Sequence, residues 1–178
     1  MKSRAPARGS GQPPRRSFRV IGIDPGSDTT GYGVVESDGR RHVLVECAGI
    51  HSPPRVPFAE RLLAIGQRLD EVIDRLKPEV CAVEETFYAV NVKSALKLGH
   101  VRGVALLSAA RAGLKVFEYS PLEVKLALVG YGRAEKRQVQ EMVRLLLGLK
   151  EPPQPLDASD ALATAICHIH TASVDWRS

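Results

Sequence analysis

Residues 20–36, VIGIDPGSDTTGYGVVE, decide how the rest of the chain is read. The first four carry apolar side chains or glycine on both alternating faces, Val20 and Gly22 on one, Ile21 and Ile23 on the other. That is the pattern of a central strand covered on both sides. The run ends on a carboxylate, Asp24, and Pro25-Gly26 turns the chain at once. Two uses of this loop are open. Glycines near hydroxyls, here Thr29 and Thr30, can cradle a phosphate, and a lone carboxylate at the end of a buried strand can hold a metal ion.

Working outward, residues 31–36 and 41–50 read as two more strands, and Ser37-Asp38-Gly39-Arg40 joins them with an Asp-Gly hairpin signal. Pro53, Pro54 and Pro57 interrupt the pattern. Phe58, Leu62, Ile65, Leu69, Val72 and Leu76 then recur in steps of four and three, an amphipathic helix that ends before Pro78. EVCAVEE, 79–85, is a short strand buried on both faces. A long helix follows over about 91–112, a strand KVFEYS over 115–120, a short helix from Pro121, a loop GYGRAEK, a helix over 135–148, a loop KEPPQP, and a last helix opened by Asp157 and running to about 174. The order β-β-β-α-β-α-β-α-α-α predicts a hairpin sheet that continues through right-handed crossovers into parallel strands. The expected fold is a three-layer α/β domain with a mixed five-stranded sheet flanked by helices.

A chain of 178 residues suits one domain with a real core. With 44% hydrophobic and 25% charged residues it has the balance of a soluble globular protein. It has no run of roughly 20 apolar residues, so no membrane is expected, and the first seventeen residues lack the apolar stretch of a secretory signal. The net charge of +5 is local: Lys2, Arg4, Arg8, Arg15 and Arg16 are five of the 25 basic residues, and the other 20 balance the 20 acids. The chain thus divides into a basic Gly/Pro/Ser-rich arm, 1–17, expected to be disordered, and one domain, 18–175. The arm is either a nucleic-acid contact or a solvated tail. Cys47, Cys81 and Cys167 are odd in number, far apart and in apolar segments, as reduced thiols of a cytoplasmic protein would be. His168 and His170 are two apart on a helix and point in different directions, which argues against a zinc pair.

The carboxylates carry the chemistry. Asp24 ends the first strand and Glu84 the fourth. A strand that returns through a helix to pair with the first runs parallel to it, so both acids reach the same edge, where open α/β sheets place their sites. Asp157 and Asp160 are three apart on one helical face, bordering the apolar stripe Ala158, Ala161, Leu162, Ala165, Ile166 and Ile169. Each acid has a plain alternative: Asp157 could cap its helix, with Asp160 favourable in the first turn, and Asp24 could be a turn acid before Pro25. Glu84, among Cys81, Ala82 and Val83, needs a partner, whereas Glu85 projects to the other face. Four acids on one edge repel; two charges ~5 Å apart cost roughly 3 kcal/mol at an effective dielectric of about 20. A divalent cation offsets that, and oxygen-only ligands suit Mg²⁺, with Mn²⁺ as the alternative. Two such ions ~3.5–4 Å apart are the usual device for in-line attack of water on a phosphodiester.

GIDPGSDTTGYGVVE, AVEETF, SALKLGHVRGVALL, FEYSPLEVKLALVGYGRAEKRQVQ and LDASDALATAICH, in that order, resemble the RuvC family of Holliday-junction resolvases over about residues 19–170. The resemblance implies a ribonuclease H-like fold, a homodimer, and Mg²⁺-dependent paired symmetric nicking of four-way DNA junctions in recombination and repair, in company with a branch-migration helicase. It puts the catalytic and metal-holding acids on Asp24, Glu84, Asp157 and Asp160, two ions to a site. A junction-contacting aromatic falls on Phe87 and functional lysines on Lys125 and Lys136. Residues 1–17 lie outside it.

Read without the family, these further positions stay open. Phe87 could stack on an exposed base or cover the following helix. Lys125, Lys136 and Arg137 flank a glycine loop and are either a solvated face or phosphate contacts. Ala95, Gly99 and Gly103, four apart, admit another backbone, from the sheet or from a second subunit. The opening loop also resembles the phosphate loop of the actin, sugar-kinase and heat-shock ATPase group, but that arrangement needs a second such loop on a duplicated domain, and this chain has no second copy. A junction-binding module without chemistry is the other rival; it would not need all four acids.

Overall fold

The computed structural model describes residues 16–85 and 91–175, with side chains as far as 172. Phe87 lies outside the described residues, as does most of the basic arm.

Three antiparallel strands open the chain: β1 (Phe18–Asp24), β2 (Thr29–Ser37) and β3 (His42–His51). Helix α1 (Phe58–Leu76) crosses to β4 (Val80–Glu84), which pairs parallel with β1, and α2 (Val92–Arg111) crosses to β5 (Lys115–Tyr119), parallel with β4. The strand order is β3-β2-β1-β4-β5. Helices α3 (Pro121–Val129), α4 (Lys136–Leu146) and α5 (Leu156–Asp175) complete the domain. This is the expected mixed five-stranded sheet between two helical layers.

Alternation along the strands divides the core. Ile21, Ile23, Val34, Cys81 and Val83 pack with Ile65, Leu69, Val72, Val101 and Ala105 of α1 and α2. Val20, Val35 and Ala82 face Leu162, Ala165, Ile166 and Ile169 of α5, with Val124 of α3 and Val139 of α4 around them. Local chemistry sets the boundaries. Lys77 closes α1 in the left-handed region at φ 48°, just before Pro78. Ser120 and Glu123 form a capping box ahead of Pro121 at the start of α3.

The hairpin between β2 and β3 is the expected four-residue loop, shifted by one residue to 38–41, in which Asp38 Oδ1 accepts from the backbone N–H groups of Arg40 and Arg41. One detail departs from expectation. Helix α5 begins at Leu156, so Asp157 sits inside the first turn and does not cap it.

Candidate active site

Asp24 is the last residue of β1, and Ile23 pairs with Val83 in the parallel ladder, so Glu84 stands beside Asp24 at the carboxyl edge. The other two acids arrive on α5, which lies directly on the sheet where the strands have glycine. A Cβ at Gly22 would fall on the carbonyl oxygen of Ala161, and one at Gly31 on that of Asp157. Any side chain at either position would lift the helix and carry Asp157 and Asp160 away from Asp24.

The four carboxylates feel one another. Burial, then Glu84, Asp160 and Asp157, push the Asp24 carboxyl up to about 8, against the pull of Lys136. Burial and Asp160 push Glu84 up to about 7, against Lys136 and Lys125. Asp160 is also raised, burial outweighing the hydrogen bond and charge of Lys136. Lys136 Nζ lies 2.5 Å from Asp160 Oδ2. Burial works against the Lys136 charge, but the hydrogen bond and charge of Asp160, with Asp24 and Asp157, outweigh it and raise its pKa. The site is thus short of positive charge: Lys136, paired with Asp160, and Lys125, which acts on Glu84, stand against four carboxylates.

Among the described residues no three acidic or imidazole side chains are gathered tightly enough to enclose an ion as they stand. The acids share an edge and interact through their charge. Their chemistry nevertheless fits a hard divalent cation: the donors are all carboxylate oxygens, and Asp24 and Glu84 are held away from ionisation by burial and by neighbouring carboxylates. A cation bound by Asp24, Glu84, Asp157 and Asp160 would favour the charged forms of Asp24 and Glu84.

Beside the acids opens a cleft of about 190 Å³, lined by Glu84, Asp160, Lys125 and Lys136 together with Val124, Val139 and Ala163. The structure therefore brings Lys125 and Lys136 to the acids from two different helices. Arg137 is exposed on the next position of α4 and does not line the cleft. Among the described residues, Gly99 and Gly103 meet nothing within 4 Å where a Cβ would stand, so the sheet is not the backbone they admit.

Sequence reasoning missed Arg61. Its side chain is only 5% exposed, and its guanidinium reaches Ser27, Asp28 and Ser52 behind the Asp24 loop. A signal was available: the buried face of α1 runs Arg61, Ile65, Leu69, Val72, Leu76, so the arginine is in phase with the apolar stripe.

Comparison with known proteins agrees with the fold. Residues 20–168 match the family model RuvC, crossover junction endodeoxyribonuclease RuvC. The crossover junction endodeoxyribonuclease RuvC of Koribacter versatilis is 56% identical over 157 residues, 88% of this chain and 95% of that protein. The protein of the same name from Chloroflexus aggregans is 54% identical over 155 residues, 87% of this chain and 94% of that one. The Thermus thermophilus RuvC structure in complex with a Holliday junction substrate superposes with a TM-score of 0.85 at 40% identity, covering 89% of this chain and 96% of that one. A yeast mitochondrial Holliday junction resolvase shares the fold, with a TM-score of 0.66 at 14% identity. A family match over most of the chain, relatives of more than half identity and a sheet edge carrying four acids agree: the chain belongs to the RuvC family of crossover junction endodeoxyribonucleases.

Proposed function

We propose that this chain resolves four-way DNA junctions by paired symmetric nicks, with Asp24, Glu84, Asp157 and Asp160 as its catalytic acids. The carrying observation is the charge balance of the sheet edge, where burial and mutual repulsion hold Asp24 up at about 8 and Glu84 at about 7. A nuclease of this family depends on a divalent metal. The finer reading is Mg²⁺, with Mn²⁺ able to replace it, and two ions per site.

When bound, the metal supplies Lewis acidity and a water of lowered pKa for attack on phosphorus. The chain supplies the rest. Asp24 and Glu84 hold fixed positions because they end adjacent parallel strands. Asp157 and Asp160 are set by the glycine seats under α5. Lys136 and Lys125, in the lining of the cleft, present ammonium groups to the phosphates of a strand entering it, with Arg137 adding charge on the exposed face of α4. Lys136 donates to Asp160 in the free protein and has a phosphate oxygen as its alternative acceptor. Phe87, which follows the β4 carboxylates in the chain, is assigned to the junction crossover, where an aromatic ring can stack on an unpaired base.

Two symmetric nicks need two active sites, and the second comes from a homodimer. Supporting that assembly, Leu96, Gly99, Gly103 and Leu107 follow one another along α2 at helical spacing, with both leucines more than half exposed and open space over both glycines. A branch-migration helicase is the natural companion in the cytoplasm, and no described helix is long and apolar enough to cross a membrane. The deciding experiment is incubation with an end-labelled four-way junction, with and without Mg²⁺, and mapping of the nicks. Symmetric nicks on strands of like polarity, absent in EDTA and absent on plain duplex, are expected; equal cutting of duplex sinks the proposal.

A further inference from the structure

We infer that Arg61 is a positioning residue for this site: from inside the helical layer on the opposite face from Lys125 and Lys136, it fixes the 25–28 loop and thereby the stance of Asp24. The inference rests on the reading of Asp24 as a metal-holding acid.

The loop is tied by a carbonyl at each of three consecutive residues. Gly26 O accepts from Thr30 Oγ1 at 3.0 Å. Ser27 O accepts from Arg61 Nη2. Asp28 O accepts from the Ser52 backbone N–H at 2.8 Å. Arg61 also reaches Asp28 Oδ1 at 3.0 Å through Nη2, and Ser52 Oγ at 2.9 Å through Nε. Ser52 and Thr30 are both buried. One planar guanidinium thus joins the β1–β2 loop, the end of β3 and the start of α1.

Stability alone does not call for an arginine there. The rest of the stripe is apolar, and a buried ion pair is commonly matched by well-packed hydrophobic side chains. Asp28, its charged partner, is 69% exposed, so that pair adds little stability. What a guanidinium adds is direction, since its rigid fork fixes two or three acceptors at set angles. Its charge does not serve Asp24 directly, because the cation that counters Asp24 is Lys136. Arg61 therefore acts through the loop backbone. The arrangement parallels the outer-shell contacts that orient metal ligands, whose loss costs about 10–100-fold in metal affinity or activity.

The test uses the full-length protein with Arg61→Met, Arg61→Lys and Ser52→Ala, and four readouts: melting in EDTA, calorimetric titration with Mn²⁺ without DNA, junction binding in EDTA, and single-turnover cleavage at saturating Mg²⁺. For Arg61→Met, Mn²⁺ affinity and the single-turnover rate should each fall by about tenfold or more, while junction affinity in EDTA stays at the parental value, since the cleft lysines are untouched. Arg61→Lys, which keeps the charge but not the fork, should recover only part of the loss. A folded Arg61→Met with parental Mn²⁺ affinity and parental rate overturns the inference, whatever its melting temperature. Where Arg61→Met fails to fold, Ser52→Ala decides: weakened Mn²⁺ binding with intact junction binding supports the inference, and parental Mn²⁺ binding overturns it. A parent protein that neither binds Mn²⁺ nor cuts junctions overturns instead the reading of the acids.

Discussion

Asp24→Asn should make the metal-free protein more stable while removing its nuclease activity. Asp24 titrates at about 8 in the fold and at its ordinary 3.8 when unfolded. A carboxyl whose folded pKa is raised contributes stability that is fully present below 3.8 and is lost as pH rises through about 8. At pH 7 the gap is 3.2 pH units, which at 1.36 kcal/mol each sets a ceiling of about 4 kcal/mol on the cost of keeping this acid. Asparagine has the shape of the protonated acid and never ionises, so it escapes that cost. It must still satisfy its amide, which leaves an expected net gain of about 1–3 kcal/mol and a rise in Tm of about 3–10 °C for a domain of this size. The assay is thermal melting of parent and variant in EDTA between pH 4.5 and pH 8. The advantage of the variant should be small at pH 4.5, where Asp24 is near its unfolded pKa, and should widen steadily towards pH 8. Adding Mg²⁺ or Mn²⁺ should then raise the parent's Tm more than the variant's. A variant that melts below the parent in EDTA at pH 8, or a difference that does not change with pH, refutes the claim that repulsion and burial at this edge oppose folding.

Other outcomes are expected alongside. Glu84→Gln and Asp160→Asn should abolish cleavage yet leave junction binding in EDTA near the parental level, as gel-shift titration would show; loss of binding would assign the acids to DNA contact. Asp157→Asn and Asp157→Ala should melt alike, because Asp157 lies within α5 and not at its cap. A deficit of about 1 kcal/mol in the alanine variant alone would restore the capping role. Gly31→Ala pushes a methyl group into the Asp157 carbonyl, so it should lose roughly 1–3 kcal/mol and most cleavage activity together. Phe87→Ala should cut cleavage with stability within about 1 kcal/mol, whereas a core phenylalanine would cost roughly 3–5 kcal/mol in the same melt. Deleting residues 1–15 should flatten the dependence of junction affinity on salt; an unchanged slope makes the arm a passive tail.

The architecture was readable because its signals are local and redundant. Doubly apolar strands, a four-three periodicity from Phe58 to Leu76 and the prolines at 53, 54, 57 and 78 each mark an element without reference to the others. The meeting of Asp24 with Glu84 followed from one topological step, a helical crossover between parallel strands. What was not readable depends on distances between elements. Nothing in the spacing of Lys136 and Asp160 says that a side chain on α4 meets one on α5. Gly22 and Gly31 read simply as strand residues until α5 is seen lying across them. Arg61 was passed over because charge outweighed its phase, although the phase was right.

The seat of α5 on the sheet also bears on the order of events in synthesis. Helix α5 follows every strand in chain order, yet its Leu162, Ala165, Ile166 and Ile169 fill the middle of one half of the core, and its first turns carry half of the acids. While that helix is still within the ribosome, the emerged chain has a sheet with one face bare and only Asp24 and Glu84 at its edge. Docking of α5 therefore both fills the centre of that half of the core and adds Asp157 and Asp160 to the edge. On the proposed reading of the four acids, a chain that lacks α5 would lose the centre of one half of the core together with two of its four catalytic carboxylates.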